Sequence, residues 1–103
     1  MASDDSKLTM EECAPFLRAM GDPTRLRIVS ALREGPMSVT QLVEALDIPQ
    51  YHCSRHLAVL RRLGIVEAER KGRRIFHQLS EERMQMEDGD PTLELGCCRV
   101  AVE

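Results

Sequence analysis

Two histidines, a cysteine and three arginines stand close together in the stretch PQYHCSRHLAVLRRLG, residues 49–64. Apolar residues recur along it at spacings of four and three: Cys53, Leu57, Leu60 and Leu63. This spacing is typical of an amphipathic helix with one face on a core. The other face carries amide, hydroxyl, imidazole and guanidinium groups: Gln50, Tyr51, His52, Ser54, Arg55, Arg61 and Arg62. Such groups hydrogen-bond base edges and phosphates, so the pattern indicates a helix that reads nucleic acid.

Metal binding is the alternative chemistry for this stretch, because His52 and His56 are four residues apart and lie near one another on a helix. Neither a carboxylate nor a further histidine accompanies them within the helix, so the spacing alone favours a metal site only weakly. His56 lies at the edge of the apolar stripe and is expected to be partly buried and hydrogen bonded. Cys53 lies on the stripe itself and is expected to fill the core, since free cysteine is among the most buried residue types.

A second candidate for chemistry is the cysteine pair Cys97 and Cys98 in the segment TLELGCCRVAVE. Adjacent residues on a strand point to opposite faces, so the plainest interpretation is one buried thiol and one incidental neighbour. Soft thiolates also select thiophilic ions such as arsenite, which three sulfurs satisfy. The sequence has no Cys-x-x-Cys, Ser/His/Asp or Gly-rich phosphate motif, so we do not expect an enzyme.

With 103 residues, of which 43% are hydrophobic, the chain fits one small domain. One Tyr, two Phe and no Trp leave core filling to aliphatic residues, which favours packed helices over an all-β fold. No apolar run approaches the roughly 20 residues that a membrane span needs, and the first ten residues lack the features of a signal peptide. We therefore expect a cytoplasmic protein with no membrane partner and with reduced cysteines.

The net charge of −3 hides a segregation of charge along the chain. Residues 50–79 carry seven basic and two acidic side chains, a balance of +5, whereas residues 80–103 carry two basic and seven acidic ones, a balance of −5. The potential that a polyanion meets depends on where the charges lie more than on their total. A solvated helix face would account for single arginines, but not for a basic block within an acidic chain.

Capping residues mark the first two helices. Thr9 and Glu12 have capping-box spacing and predict a first helix over about residues 10–20. A second helix is expected between Asp22, which caps its start, and Gly35, which follows its end. Its apolar residues are predicted to form a buried side: Leu26, Ile28, Val29 and Leu32.

Ser38 and Gln41 have the same capping-box spacing and predict a short third helix that ends before Pro49. Its apolar residues form one stripe: Val39, Leu42, Val43 and Leu46. Only a tight turn separates this helix from the amphipathic helix described above, and two helices joined so closely form a helix-turn-helix. The second helix of that motif enters a DNA major groove.

The pattern after Gly64 changes to the twofold alternation of strands: IVEAER, a KGR turn and RIFHQLS. It predicts a β-hairpin with a basic tip. A further short helix is expected to begin at Ser80 and to be broken by the EDGDP stretch. The remaining tail favours a strand.

We predict a mostly α-helical fold with a small β-hairpin, a winged helix-turn-helix that forms a homodimer. The domain spans residues 10–87, after a flexible N-terminus of residues 1–9 and before a tail of residues 88–103 with the cysteine pair on a strand. The predicted DNA-contacting residues lie on the second helix of the motif and on the hairpin: Gln50, Tyr51, His52, Ser54, Arg55, Arg62, Lys71, Arg73 and Arg74. We expect those near the start of the helix to face base edges and those of the hairpin to contact the DNA backbone.

Three segments in order resemble the ArsR/SmtB family of bacterial repressors: AMGDPTRLRIVSAL, QYHCSRHLAVLRRLGIV and ERKGRRIFHQL. The resemblance covers roughly residues 10–80. It implies a homodimer that binds a DNA operator with paired half-sites and leaves it when an effector binds. Many members of the family sense a metal ion through a Cys-x-Cys pair on the third helix, where this chain has Ser38 and Thr40. That metal site is therefore expected to be absent.

Other members of the family hold metal ions with Asp, His and Glu on a long final helix, but no histidine follows His77 in this chain. Gly89 and Pro91 are expected to shorten that helix, which puts both this second type of metal site and the usual dimer interface in question. We expect the tail after Pro91 to form the interface with the first helix. A monomer would otherwise leave apolar side chains in water: Leu17, Met20 and Leu95.

The resemblance also implies that the first helix lies beside the C-terminal segment in the dimer, with Cys13 of one subunit or the other near Cys97 and Cys98. We hypothesise that these three thiols bind a thiophilic metal or metalloid effector such as arsenite, with reversible disulfide formation as the alternative. Two other functions stay open: a thiol protein that sequesters a soft metal or exchanges disulfides, and a winged-helix interaction module without DNA binding. A salt-dependent shift of palindromic DNA would separate a repressor from a thiol protein.

Overall fold

A computed structural model describes residues 8–103 of the chain. Within these residues the chain forms four helices and six short strands in the order α1 Met10–Met20, α2 Pro23–Leu32, β1 Met37–Ser38, α3 Val39–Leu46, α4 Gln50–Arg62, β2 Val66–Lys71, β3 Arg74–Leu79, β4 Met84–Glu87, β5 Asp90–Glu94 and β6 Arg99–Ala101. Helices α3 and α4 are joined by three residues, and the β2–β3 hairpin follows. The predicted winged helix-turn-helix is therefore confirmed. None of the described helices is both long and apolar enough to cross a membrane.

Side-chain caps begin the first three helices as the sequence predicts. The side-chain oxygens of Thr9 and Ser38 each accept a hydrogen bond from the backbone N–H three residues on. The backbone N–H groups of these two cap residues donate in turn to the side-chain oxygens of Glu12 and Gln41. Asp22 accepts from two backbone N–H groups of α2, and these bonds lower the pKa of its carboxyl group. Each cap satisfies donors that the helix leaves open and contributes about 0.5–2 kcal/mol. Of the predicted flexible N-terminus, residues 1–7 lie outside the described residues, and Thr9 caps α1.

The two ends of α4 are set by backbone geometry. Before α4, Asp47 has a φ of 54°, in the left-handed region, and this turn ends α3. After α4, Gly64 has a φ of 74°, and its N–H donates to the Arg61 carbonyl (2.9 Å) while that of Ile65 donates to the Leu60 carbonyl (3.0 Å). This pair of bonds is a Schellman motif, which needs the left-handed conformation that glycine adopts without strain.

The core lies between the helices and the inner face of the hairpin. Among its fully buried members, six come from α2, α3, α4 and the segment after α4: Ile28, Leu42, Cys53, Leu57, Leu60 and Ile65. Cys53 is therefore a core residue, as expected, and burial raises the pKa of its thiol. The prediction for Leu26 is wrong, because its side chain is 41% exposed. It borders a shallow apolar groove between α2 and β6, which Val100 and Val102 also line.

Strands β2 and β3 form the predicted hairpin with a two-residue turn at Gly72 and Arg73, and Lys71 pairs with Arg74 beside it. Strand β1, which the sequence analysis did not identify, pairs with β3 and completes a sheet in the order β1-β3-β2. Because β1 leads directly into α3, this pairing attaches the hairpin to the first helix of the helix-turn-helix.

The predicted short helix after Ser80 is wrong. Residues 80–83 form a turn, and β4 begins at Met84 and pairs with β5, which pairs in turn with β6. The two residues between β4 and β5 are Asp88 and Gly89, both with positive φ. An Asp-Gly pair in this conformation is a strong hairpin signal, and its twist matches that of the flanking strands. The predicted boundary between residues 87 and 88 therefore falls inside a hairpin.

This second sheet, β4-β5-β6, packs on the same core through Leu93, Leu95 and Val102. Two of the three residues expected to be exposed in a monomer are thus buried within one subunit: Leu95 fully and Met20 almost fully. Leu17 is 54% exposed, as expected. The tail is confirmed as β-structure, but it covers its own subunit's core.

Candidate nucleic-acid interface and cysteine cluster

The exposed face of α4 presents a continuous set of polar side chains. All the helix residues predicted to contact DNA are exposed in the described structure: Gln50, Tyr51, His52, Ser54, Arg55 and Arg62. The first five lie within the first two turns, next to the turn that follows α3. They stand on a rigid support, because residues on the opposite face of the same turns are core residues.

Tyr51 and Arg55 form a pair on this face. The Arg55 guanidinium donates from Nη1 to the Tyr51 hydroxyl (2.9 Å), and its Cζ lies 5.5 Å from the centroid of the Tyr51 ring. Tyr51 is 63% exposed, an unusual position for an aromatic side chain with no role at the surface. The contact restrains the guanidinium on the exposed face of α4.

Arg62 lies two turns beyond Arg55 on α4. It borders a shallow depression that α1 and α2 also line, with Arg18 and Arg25 among the neighbouring side chains. Three arginines therefore border this depression, and a positive edge of this kind is suited to phosphate groups.

The hairpin tip carries Lys71, Arg73 and Arg74, all exposed. Arg74 is partly committed within the protein, because its Nη2 lies 3.4 Å from the Ser38 hydroxyl and its guanidinium lies over the Phe76 ring. Lys71 and Arg73 have no such contacts among the described residues. The three predicted hairpin residues thus differ, with Arg73 and Lys71 more available than Arg74 to an outside partner.

No carboxylate neutralises these basic groups within residues 8–103. The salt bridges found there join Arg99 to Glu87 (2.7 Å) and to Glu94 (2.8 Å), all on the second sheet. Among these residues, no salt bridge joins the acidic tail to the basic helix-turn-helix, and the charge segregation along the sequence is kept in the fold. A basic surface of this kind attracts a polyanion despite the negative net charge of the chain.

His56 is partly buried and hydrogen bonded, as expected, and its partner is Arg25 on α2, whose Nε donates to His56 Nδ1 (3.0 Å). Burial lowers the pKa of His56. Arg25 also donates to the Ala19 carbonyl at the end of α1 (3.3 Å), so one side chain ties α1 and α2 to α4. The sequence analysis did not single out Arg25, and its type alone carries no signal for such a contact.

A buried histidine was also missed. His77 on β3 is only 3% exposed, its Nε2 lies 3.2 Å from Arg61 Nη1, and its Nδ1 has no hydrogen-bond partner. Burial lowers the pKa of His77, and the Arg61 charge lowers it further. The twofold alternation that places Leu79 inside the sheet also places His77 inside, so this position was visible in the sequence pattern.

The three cysteines of the hypothesised effector site lie together within one subunit. Cys13 on α1 and Cys97 between β5 and β6 form a disulfide with a Cα–Cα distance of 5.9 Å. Cys98 is a free, exposed thiol whose Sγ lies 3.9 Å from that of Cys97, and all three sulfurs fall within 4.8 Å of one another. Below, these three residues are called the cysteine cluster.

The surroundings of the cysteine cluster correct one expectation. Cys97 and Cys98 lie in the turn between β5 and β6, not on a strand, so the argument from alternating strand faces does not apply. Gly96 opens this turn with a φ of 99°, and a Cβ there would lie 2.9 Å from the Leu8 side chain. The cluster borders a groove of about 410 Å³ whose other walls are apolar: Leu8, Met10, Ala14 and Leu17.

The other possible metal sites do not fit the structure. Ser38 stands where a Cys-x-Cys site would have its first thiolate, and its hydroxyl already caps α3. His52 and His56 have no third ligand, since in residues 8–103 the one group of three close metal-binding side chains is the cysteine cluster. Soft-metal chemistry in the described part of the chain therefore depends on those three sulfurs.

Comparisons with known proteins agree on one family. The model of "Bacterial regulatory protein, arsR family" matches residues 22–68, from the start of α2 into β2. The HTH-type transcriptional repressor SmtB of Mycobacterium tuberculosis is 37% identical over 75 residues, which are 73% of this chain and 56% of that protein. The Biofilm growth-associated repressor of Xylella fastidiosa is 37% identical over 83 residues, which are 81% of this chain and 73% of the relative. The chain therefore spans little more than half the length of SmtB.

A solved structure shows the same fold. The homodimeric winged helix-turn-helix DNA-binding domain of Mb0332 from Mycobacterium bovis superposes with a TM-score of 0.63 at 29% identity. The match covers 67% of this chain and 64% of that domain.

Proposed function

This chain belongs to the ArsR family of bacterial regulatory proteins, and from that premise we propose that it is a DNA-binding transcriptional repressor controlled by thiol chemistry. The observation that carries the proposal is the exposed face of α4, where unneutralised polar and basic groups stand on a buried support. Relatives named as transcriptional repressors support the same conclusion. DNA is the partner, and a bacterial repressor works in the cytoplasm, where its operator is.

In this proposal α4 enters the major groove. Its first two turns, from Gln50 to Arg55, face base edges, where amide, hydroxyl and guanidinium groups pair with the donors and acceptors of each base pair. Lys71 and Arg73 at the hairpin tip, with Arg62 at the far end of α4, contact the phosphates on either side. These contacts fix the register of the helix, while those from α4 select the sequence.

A second copy of the chain binds the second half-site of the operator. The exposed apolar side chains Met10 and Leu17 lie on α1 with Ala14 between them, at spacings that place all three on one helical face. An exposed apolar stripe of this kind favours association with a partner. Mb0332, with the same fold, is homodimeric. The second sheet contributes to the dimer indirectly, since it packs beside α1 and shapes the groove near Leu17.

The cysteine cluster is the effector site in this proposal, and its oxidation is the first candidate signal. In a reducing cytoplasm the Cys13–Cys97 disulfide forms only under a stimulus. A hydroperoxide accepts two electrons from the two thiols; its O–O bond breaks to give water and an alcohol, and the S–S bond forms. The disulfide then links α1, which carries the dimer stripe, to the second sheet of the same subunit.

Trivalent arsenic is the second candidate signal, because Cys98 adds a third sulfur to the pair. Arsenous acid, As(OH)₃, would exchange its three hydroxyl groups for three cysteine sulfurs and release three waters, with no change in oxidation state. Thiophilic ions prefer such soft ligands. Both signals join the same two elements, so they are expected to have the same effect on DNA binding.

Operator binding tests the proposal. The purified protein is titrated onto duplexes that tile the DNA upstream of its own gene, at several salt concentrations, in dithiothreitol, in hydrogen peroxide and with arsenite. We expect tight, salt-dependent binding to one duplex by the reduced protein and weaker binding after either treatment. Cys13→Ser should abolish both responses, Cys98→Ser only the response to arsenite, and Cys53→Ser neither. A protein that binds no duplex would instead be an interaction module or a thiol protein.

A further inference from the structure

We propose that Arg83 is the positioning residue that couples the cysteine cluster to the carboxyl end of α4. The inference deepens the proposed function and rests on it, because it assigns the route by which thiol chemistry changes DNA reading. Arg83 is the last residue of the turn before β4, and it contacts three separate parts of the fold.

The first contact is with the end of α4. Arg83 donates from Nε to the Gly64 carbonyl (3.3 Å) and from Nη2 to the Leu63 carbonyl (3.4 Å). The last carbonyls of a helix have no partners within the helix and carry partial negative charge, so a guanidinium there stabilises the terminus. The Schellman turn at Gly64, which ends α4, is thus held by a side chain from outside the helix-turn-helix.

The second contact is with the strand that leads to the cysteines. Arg83 Nη1 donates to the Glu94 carbonyl (3.0 Å), and the Glu94 N–H donates back to the Arg83 carbonyl (2.7 Å). The Glu94 carboxylate in turn accepts from the backbone N–H of Gly96 (2.9 Å), immediately before Cys97. Two hydrogen-bonded steps therefore separate the Arg83 guanidinium from the turn that holds Cys97 and Cys98.

The third contact is with α1. The Arg83 guanidinium lies over the ring of Phe16, with Cζ 4.8 Å from the ring centroid. Phe16 lies three residues after Cys13, about one turn along the same side of the helix. Arg83 is therefore in contact with both elements that the Cys13–Cys97 disulfide joins, as well as with the end of α4.

Arginine suits this position because its planar fork can donate to three carbonyls at once while its face stacks on an aromatic ring. Lysine keeps the charge but cannot hold all four partners. These contacts belong to the form in which the disulfide links α1 to the β5–β6 turn, a link that a thiophilic ion bound by the cysteine cluster would also make. When that link is absent in the reduced protein, Phe16 and Glu94 move relative to each other. The guanidinium between them then shifts against the Leu63 and Gly64 carbonyls, and the end of α4 shifts with it.

The test compares reduced and oxidised protein for the full chain, Arg83→Lys, Arg83→Gln and the control Arg33→Gln. Arg33 is an exposed arginine at the end of α2, apart from the contacts that link Arg83 to the cysteine cluster. Operator affinity and amide hydrogen exchange of residues 63–65 are both measured. For a typical coupling, oxidation should change the operator affinity of the parent and of Arg33→Gln by about 5- to 150-fold. In both Arg83 variants the change should fall below about twofold, with the reduced proteins folded and bound to DNA.

Hydrogen exchange separates failure of this inference from failure of the proposed function. If the parent binds no DNA, the proposed function fails, and exchange at residues 63–65 still decides the inference. Oxidation should alter that exchange in the parent and in Arg33→Gln but not in Arg83→Lys. The inference is overturned if oxidation leaves the parent's exchange unchanged, or if Arg83→Lys keeps the parent's response. Should Arg83→Gln fail to fold, the lysine variant, which retains the charge at the helix end, carries the comparison.

Discussion

At the scale of single residues, Arg55 combines an exposed position on α4 with a guanidinium group that can hydrogen-bond a base. The Tyr51 hydroxyl and ring hold its guanidinium, so little side-chain entropy is lost when it meets a base. Preorganised arginine donates two parallel hydrogen bonds to guanine, which gives both affinity and specificity. Arg74 has the opposite character, because Ser38 and Phe76 already occupy its guanidinium.

Arg55→Ala should weaken operator binding by about 1–3 kcal/mol and loosen the preference at one base pair. Arg73→Ala should weaken binding to all DNA sequences alike and reduce the slope of log affinity against log salt concentration by about one. Both are measured by titrating the operator and single-base variants of it at several salt concentrations. Arg99→Ala, on the opposite sheet, is the control. Equal losses on every sequence for Arg55→Ala would show that this residue contacts the backbone.

His77 makes stability depend on pH. Its folded pKa is lowered, so the unfolded state binds a proton more readily than the folded state. The stability that comes from neutral His77 is therefore present above the unfolded pKa of about 6.5 and is lost as the pH falls below it. The loss is about 1.4 kcal/mol for each unit between the two pKa values.

Urea unfolding of the reduced protein between about pH 7.5 and pH 5.5 measures this effect, in a range that brackets the ordinary histidine pKa. We expect the parent to lose stability on acidification and His77→Leu to lose less. His52→Gln, at an exposed position of α4, is the matched control and should follow the parent. An identical pH dependence in the parent and His77→Leu would assign the effect to other groups, with His56 the first to examine.

At the scale of elements, the second sheet is where this chain departs from a family member with a long final helix. The alternation of Met84, Gln85, Met86 and Glu87 and the Asp-Gly turn after them are local signals for a hairpin. The tail does more than shape an interface, because Leu93 and Leu95 fill the core of their own subunit. Removing residues 91–103 is accordingly expected to unfold or aggregate the protein instead of releasing intact monomers.

Leu93→Ala should lower the free energy of unfolding by about 2–5 kcal/mol, because the truncation leaves a cavity between β5 and the helices. Met86→Ala is the control on the neighbouring strand, where the side chain is 69% exposed, and should change stability by less than about 0.5 kcal/mol. Chemical denaturation of the reduced proteins measures both. Similar small effects from the two substitutions would mean that the second sheet folds independently of the core.

At the scale of the whole molecule, operator affinity depends on two copies of α4 held at a set spacing. In the proposed dimer, contact between the α1 stripes of the two subunits sets the distance between the two α4 helices. The cysteine cluster borders that stripe and controls this distance. Charge adds to this arrangement. The acidic tail is separate from the basic face of α4 and the hairpin, so that face is cationic although the protein as a whole is anionic.

Leu17→Glu should convert the dimer to monomers, because it places a charge on the apolar stripe of α1. Operator affinity should fall by about tenfold or more once the half-sites are no longer bound together. Met86→Glu, an equal change on the second sheet, should leave both properties as in the parent. Sedimentation velocity and operator titration measure the two outcomes. A Leu17→Glu protein that sediments as the parent does would exclude this face of α1 from the interface.

The sequence by itself determined the helix-turn-helix, the three capped helix starts, the hairpin and the exposed polar face of α4. All of these depend on interactions between residues a few positions apart, or on a regular period, and such signals are legible in a single sequence. The same reasoning explains why His77 and the Asp88-Gly89 turn were available in the sequence although both were missed. The burial of His77 follows from the twofold period of β3, and the turn follows from the Asp-Gly dipeptide.

Only the tertiary structure decided which distant residues meet. Cys13 and Cys97 are separated by 84 positions, and their contact within one subunit depends on how α1 packs against a sheet that replaces the expected helix. The exposure of Leu26 and the contacts of Arg83 arise in the same way. Neither a residue's type nor its spacing reports which backbone carbonyls will face it, because that follows from the packing of whole elements. Local periodicity therefore predicted the exposed polar face that is proposed to read DNA, while packing across the fold created the site proposed to control it.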